Sequence, residues 1–213
     1  MALDSYTALK ASAADWLQRT DLTAAIPDFI AMAEAQIGRR LLKDGPVRRM
    51  MVRSDATIST EFAAVPSDFV GAKTIYLVEG NYTRQLQFCL PEQINEKKSN
   101  TTQLTGCPLF FSVVGGEFQF FPAPVESYSA ELTYWSRITP LSASVSTNWL
   151  LAYHPDAYLY GTLLQSAPYL RDDPRIQIWG GALETILSDI VDSDKMERSA
   201  AYMAVPDVMG GTP

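Results

Sequence analysis

The sequence predicts an α+β protein. Its expected architecture is a four-helix bundle formed by N- and C-terminal helix pairs, with an antiparallel β-sandwich or barrel-like region inserted between them and an extended C-terminal tail. Three observations predict this. Apolar residues recur at steps of three and four between Ile26 and Leu41, the period of one helix face. Between Val47 and Ile138 that period is replaced by short runs of Phe, Tyr, Val and Thr broken by Gly, Pro and Asn, which is a β texture. Helical periodicity then returns after Pro155. The expected segments are an N-terminal helical hairpin (1–46), an inserted β domain (47–138), a C-terminal helical half (139–193) and a tail (194–213).

The first helix is expected over 4–19. Asp4 or Ser5 is placed to cap it, and Tyr6, Leu9, Ala13, Trp16 and Leu17 make its stripe. A capping oxygen accepts a bond from an N–H that has no partner inside the helix. The second helix carries Ile26, Phe29, Ile30, Ala33, Ile37 and Leu41 on one face. Asp28, Glu34, Arg39, Arg40 and Lys43 fall mostly on the other. Pro27 suits a first turn, where its missing N–H costs nothing, and Gly45-Pro46 is a stop signal.

In the middle region strands are expected near 50–53, 57–62, 73–78, 83–88, 110–114, 117–121 and 129–135. Gly80-Asn81 and Gly115-Gly116 tolerate the positive φ of tight hairpin turns. A short helix is expected over 91–98, and 100–108 reads as a polar loop. After the Ser/Thr-rich stretch 139–147, Pro155 opens a helix with Tyr158, Leu159, Thr162, Leu163 and Ser166. Asp172-Asp173-Pro174 then opens another with Ile176, Trp179, Leu183, Ile186, Leu187 and Ile190. Gly180-Gly181 inside it costs about 1 kcal/mol per glycine relative to Ala, so close approach of a neighbouring helix is expected there. The residues from Asp194 onward show no sustained stripe.

Composition narrows the function. The apolar fraction of 47% is that of an ordinary globular chain. Runs of eighteen apolar residues, the signature of a membrane span, do not occur, and the N-terminus lacks the pattern of a signal peptide. The two cysteines, Cys89 and Cys107, make neither a disulfide scaffold nor a metal cluster; free thiols are expected. The net charge of −7 argues against a protein that grips nucleic acid through its phosphates. It suits a surface along which DNA slides without sticking. No catalytic constellation emerges. His154 is the single histidine and stands at a helix start. Asp172 and Asp173 read as a cap, and Gly115-Gly116 lacks the following helix of a phosphate loop. Spacing for metal ligands is missing, so neither a cofactor nor a metal is expected. The aromatics Phe110, Phe111, Phe118, Phe120, Phe121, Tyr134 and Trp135 have no interleaved Lys or Arg between Leu109 and Trp135. They therefore read as sheet core rather than a base-stacking platform.

Several short motifs carry a family resemblance by their order and spacing. They begin with Asp15-Trp16-Leu17, Arg19-Thr20-Asp21, Ile26-Pro27-Asp28-Phe29-Ile30 and Ala33-Glu34. They continue with Pro66-Ser67-Asp68-Phe69, Gly106-Cys107-Pro108, Phe121-Pro122, Asn148-Trp149-Leu150-Leu151 and Pro155-Asp156-Ala157-Tyr158-Leu159-Tyr160-Gly161. From Tyr6 to Val191 the chain resembles the bacteriophage head-to-tail adaptor proteins. The resemblance implies a structural virion protein of the neck, assembled in the host cytoplasm. It further implies a homo-oligomeric, dodecameric ring under the portal protein that extends the channel for double-stranded DNA and docks the tail or nozzle protein. Alternatives are another neck connector or stopper, or a carbohydrate-binding or enzymatic module using the β insertion.

Two surfaces are candidates for assembly. Arg39, Arg40, Lys43, Arg48, Arg49 and Arg53 form a basic patch after the second helix. Asp172, Asp173, Glu184, Asp189, Asp192, Asp194 and Glu197 make the last helix acidic. Meeting between neighbouring subunits, the two patches would form a head-to-tail contact that closes a ring when the rotation permits. The expected intersubunit set is the six basic residues with Asp189 and Asp192. In the tail, Tyr202, Met203, Val205, Pro206, Val208 and Met209 are apolar residues with few charges nearby. Such a segment can order on a partner, which the resemblance makes the portal.

Overall fold

The computed structural model describes residues 3–43, 46–79, 82–170 and 174–203. In chain order the helices and strands begin with α1 (Tyr6–Leu17), α2 (Ile26–Lys43), β1 (Met51–Ile58), β2 (Phe62–Ala64), β3 (Phe69–Glu79), β4 (Tyr82–Gln85) and β5 (Gln87–Phe88). They continue with α3 (Pro91–Ser99), β6 (Phe110–Val114), β7 (Glu117–Phe121), β8 (Tyr128–Ser136), α4 (Trp149–Tyr153), α5 (Pro155–Gln165) and α6 (Arg175–Met203). The class is mixed α and β, as the sequence predicts. The chain divides into a helical unit, Met1–Arg49 with Ile138–Pro213, and a β unit, Met50–Arg137. Among the described residues no helix is long and apolar enough to cross a membrane.

In the helical unit, Ser5 caps α1 by accepting from the Ala8 N–H at 3.3 Å. Gln18 closes it in the left-handed conformation, φ 54°. Leu9, Ala13 and Leu17 are buried as the period requires. Trp16 is not: it is 44% exposed and lies edge-on to Tyr160 at 6.1 Å. On α2 every residue of the expected stripe is at most 1% exposed.

The helices do not meet as an N-terminal pair facing a C-terminal pair. α5 touches α1, α2, α4 and α6, and α1 packs more on α5 than on α2. Ala157, Tyr158, Leu159, Gly161, Thr162 and Leu163 are all buried, so α5 is covered all round, as a helix in the middle of a core must be. Gly161 makes this possible. A Cβ there would stand 3.2 Å from the Ala33 Cβ and 3.3 Å from the Ile37 Cδ1. The close approach expected at Gly180-Gly181 is thus found at Gly161 instead. A Cβ at Gly180 would meet only Leu164 Cδ1 at 3.8 Å, and Gly181 has nothing within 4 Å.

Two further helical features depart from expectation. α4 was not anticipated; Asn148 caps it by accepting from the Leu151 N–H at 2.9 Å. The extended tail from Asp194 is also corrected, because α6 continues as helix to Met203. A polar anchor replaces the missing apolar stripe. Asp194 is 9% exposed, accepts the Arg48 backbone N–H at 2.6 Å and pairs with Arg198 at 2.5 Å. Tyr202 and Met203 therefore belong to the end of α6. Val205, Pro206, Val208 and Met209, the Gly80-Asn81 turn and the Asp172-Asp173 cap lie outside the described residues.

The β unit has two four-stranded sheets, ordered β1-β8-β3-β4 and β2-β7-β6-β5. β1 is one strand where two were expected (50–53 and 57–62), in unbroken antiparallel register with β8 from Met51↔Trp135 to Ile58↔Tyr128. Polar residues at 53–55 interrupt the apolar alternation, yet they sit comfortably in the sheet. Arg53 pairs with Glu131 across the strands at 2.7 Å and with Asp55 at 3.1 Å. The β6–β7 hairpin turns at Gly115 and Gly116 with φ of 60° and 89°, both positive as a two-residue I′ turn needs.

One pairing breaks the expected antiparallel pattern: β5 runs parallel to β6. A parallel pair needs a crossover of a dozen or more residues, which α3 and the loop after it provide. Side chains of both sheets form one cluster, with Ile75, Leu77, Phe111, Phe118, Phe120 and Leu132 among its members. Phe118 meets Phe69, Phe120 and Phe111 at 5.4, 6.0 and 6.3 Å. Phe111, Phe118, Phe120, Phe121 and Tyr134 are each at most 5% exposed, so these aromatics are core.

Candidate assembly interface

The motif residues converge in the helical unit. Glu34 of α2, read from the helical period as a polar-face residue, points inward. Its Oε1 accepts the Leu141 backbone N–H at 2.8 Å and the Tyr158 hydroxyl at 2.9 Å. Asn148 Nδ2 donates to the Tyr158 Oη at 2.6 Å and to the Thr139 carbonyl at 2.7 Å. Two turns of α2 and α5, the 139–148 connection and the α4 cap are therefore joined through one carboxylate, one phenol and one amide. Burial raises the Glu34 pKa, and the two donors offset this only in part. Burial likewise raises that of the Tyr158 hydroxyl; Asn148 opposes the shift, while the charge and hydrogen bond of Glu34 add to it. Two other motifs act locally. Arg19 and Asp21 form an ion pair at 2.5 Å. In the β unit, Asp68 accepts the Tyr134 hydroxyl at 2.9 Å.

The basic patch and the acidic helix meet partly within one chain. Arg40 pairs with Glu184 at 3.2 Å and Arg48 with Glu197 at 3.7 Å. Arg49 lies over the Tyr153 ring at 3.9 Å. Arg53 belongs to the β unit and holds Glu131 and Asp55. Arg39 and Lys43 are exposed on α2, as are Asp189 and Asp192 on α6; Asp192 pairs with Lys195 at 3.3 Å. An exposed pair of this kind contributes about 0–1 kcal/mol. These surface charges therefore govern what the protein meets more than whether it folds.

His154 stands at the junction of α4 and α5. With Arg49, Tyr153 and Asp194 it borders a small cavity of about 230 Å³. Burial lowers its pKa, Asp156 opposes that, and Arg49 adds to it. No group of His, Cys, Asp and Glu among the described residues is arranged to hold a metal ion, and no disulfide joins Cys89 to Cys107.

Sequence reasoning missed the inward role of Glu34, the Asn148 cap and the Asp194 anchor. Only Asn148 had a local signal, a capping residue directly before Trp-Leu-Leu. The other two depend on partners more than a hundred residues away.

The molecule is thus a chain whose shared motif residues tie its fold together instead of lining a reaction site. A family model matches nearly its whole length, residues 4–207, and sets the class as a phage head–tail adaptor. The chain belongs to the SU10 adaptor protein family. No curated protein matches it.

Proposed function

We propose that this adaptor assembles as a ring, dodecameric by its resemblance, beneath the portal in the virion neck. There it extends the DNA channel and offers a docking surface to the tail. The reading is carried by the family match over residues 4–207, which takes in both units. The net charge of −7 supports it, because a channel wall that repels phosphate lets DNA pass without binding. Its action is mechanical: ordered assembly, sealing and passage, with no bond made or broken.

Between subunits, the exposed Arg39 and Lys43 of one copy meet Asp189 and Asp192 of the next. Arg40, Arg48 and Arg53 already hold carboxylates of their own chain and contribute less, as does Arg49. Tyr202 and Met203, with Val205, Pro206, Val208 and Met209 beyond them, engage the portal. The test is native mass of the purified protein, alone and mixed with its portal, at low and high salt. A ring-sized species with portal is expected, weakened in Arg39→Glu/Lys43→Glu without loss of melting temperature. A protein that stays monomeric and ignores portal would overturn the reading.

A further inference from the structure

The β unit holds a groove that the adaptor reading does not use. It lies between β5, α3 and the 100–108 loop, and its volume is about 910 Å³. That is near the top of the range of small-ligand pockets, about 300–1,000 Å³. Arg84 and Lys97 stand on its walls, with the amides of Gln87, Gln93, Asn100 and Gln103 between them. Glu96 is the one acidic residue among its lining. Arg84 reaches the Cys107 Sγ at 3.5 Å, and Lys97 lies over the Phe110 ring at 4.2 Å. Among the described residues neither cation pairs with a carboxylate. In a chain of net charge −7, this is a locally cationic concavity.

Two further observations say what kind of ligand fits. β5 is the edge strand of its sheet. The Gln87 and Cys89 amides donate to β6 residues or their neighbours, Phe111 and Leu109, at 2.9 Å each. Strand alternation therefore turns the Phe88 main-chain groups toward the open edge. Beside them the Phe88 side chain is 59% exposed, Leu90 53% and Leu109 41%, a contiguous apolar rim of the kind that marks an interaction site. Side-chain amides both donate and accept, which matches peptide main chain. An open edge with side-chain pockets beside it is a recurring way to bind an extended peptide.

We infer that this groove docks an extended polypeptide segment of another virion protein, bearing an Asp or Glu for Arg84 and Lys97 and an apolar residue for the Phe88 rim. The inference rests on the adaptor reading for the source of that segment. The test uses the full chain and synthetic peptides tiled across the portal and tail proteins of the same phage, with binding followed by fluorescence anisotropy. At least one Asp- or Glu-containing peptide should bind. Arg84→Glu/Lys97→Glu should weaken it at least about tenfold, or 1.4 kcal/mol, as should neutralising the acid in the peptide. Lys10→Glu on α1 should leave binding unchanged. If the double reversal lowers the melting temperature, Arg84→Gln/Lys97→Gln replaces it and should still weaken binding. The inference is overturned if no tiled peptide binds, if binding survives the variants, or if neutral oligosaccharides bind the groove and peptides do not. Ring formation on the portal by the same wild-type protein would show that the adaptor reading stands while the groove assignment alone has failed.

Discussion

The two units are held together by different means. The β unit is a single stretch of chain, Met50–Arg137, around one cluster of aromatic and aliphatic side chains. The helical unit joins the two ends of the chain, and buried polar groups reinforce its apolar stripes: Glu34 binds Leu141 and Tyr158, and Asp194 binds Arg48. The contrast has a physical reason. Aromatic packing is adaptable in partner and roughly additive in area. A buried carboxylate is costly unless its donors are in place. The helical unit is therefore specified by a few exact long-range bonds, and the β unit by the bulk of its core.

The largest test of this contrast is Phe120→Ala. Phe120 is 2% exposed, and emptying such a site costs about 3–5 kcal/mol. Hydrogen exchange should show β-unit peptides losing protection while α2 and α5 keep theirs. Equal loss in both units would mean that they unfold as one.

Next is Asp194→Ala, which leaves the Arg48 amide and Arg198 without that acceptor and should cost about 1–3 kcal/mol. Exchange should rise at 46–49 and along the end of α6, with little change in α1. Unaltered exchange at 46–49 would remove Asp194 as the anchor.

The mildest is Glu34→Gln, which keeps an oxygen for Leu141 and Tyr158 but cannot ionise. Burial raises the Glu34 pKa above the ordinary carboxylate value. The protonated form is thus the one the fold favours, and its contribution is complete below that ordinary value and lost as pH rises through the folded one. Denaturant titrations should show the variant gaining on the wild type as pH goes from 4 to neutrality, flattening above. A constant difference would show that the Glu34 charge is accommodated without cost.

Much of the local structure was legible in the residues. The α2 stripe, the Ser5 cap, the β6–β7 hairpin at Gly115-Gly116 and the aromatic core all follow from period, capping chemistry and positive-φ tolerance, which act within a few residues. Trp16 shows the limit. Its spacing belongs to the α1 stripe, but the neighbouring helix offers it only an edge contact with Tyr160, so it remains 44% exposed. The surface charges are similar. Their clustering was visible, whereas the pairing of Arg40 with Glu184 and Arg48 with Glu197 needed the two chain ends to be brought together.

By itself, the sequence determined the class of each segment, the buried face of α2 and the order of motifs that places the chain among the adaptors. These depend on backbone propensity and on the period of apolar residues, both carried by near neighbours in the chain. Tertiary structure alone decided that α5 lies at the centre of the helical unit, that β5 runs parallel to β6, that α6 continues to Met203 and that Glu34 turns inward. Each of these is set by a partner far along the chain, whether a small residue admitting a neighbour, a crossover, or a donor for a buried carboxylate. Such partners leave no periodic trace in the sequence.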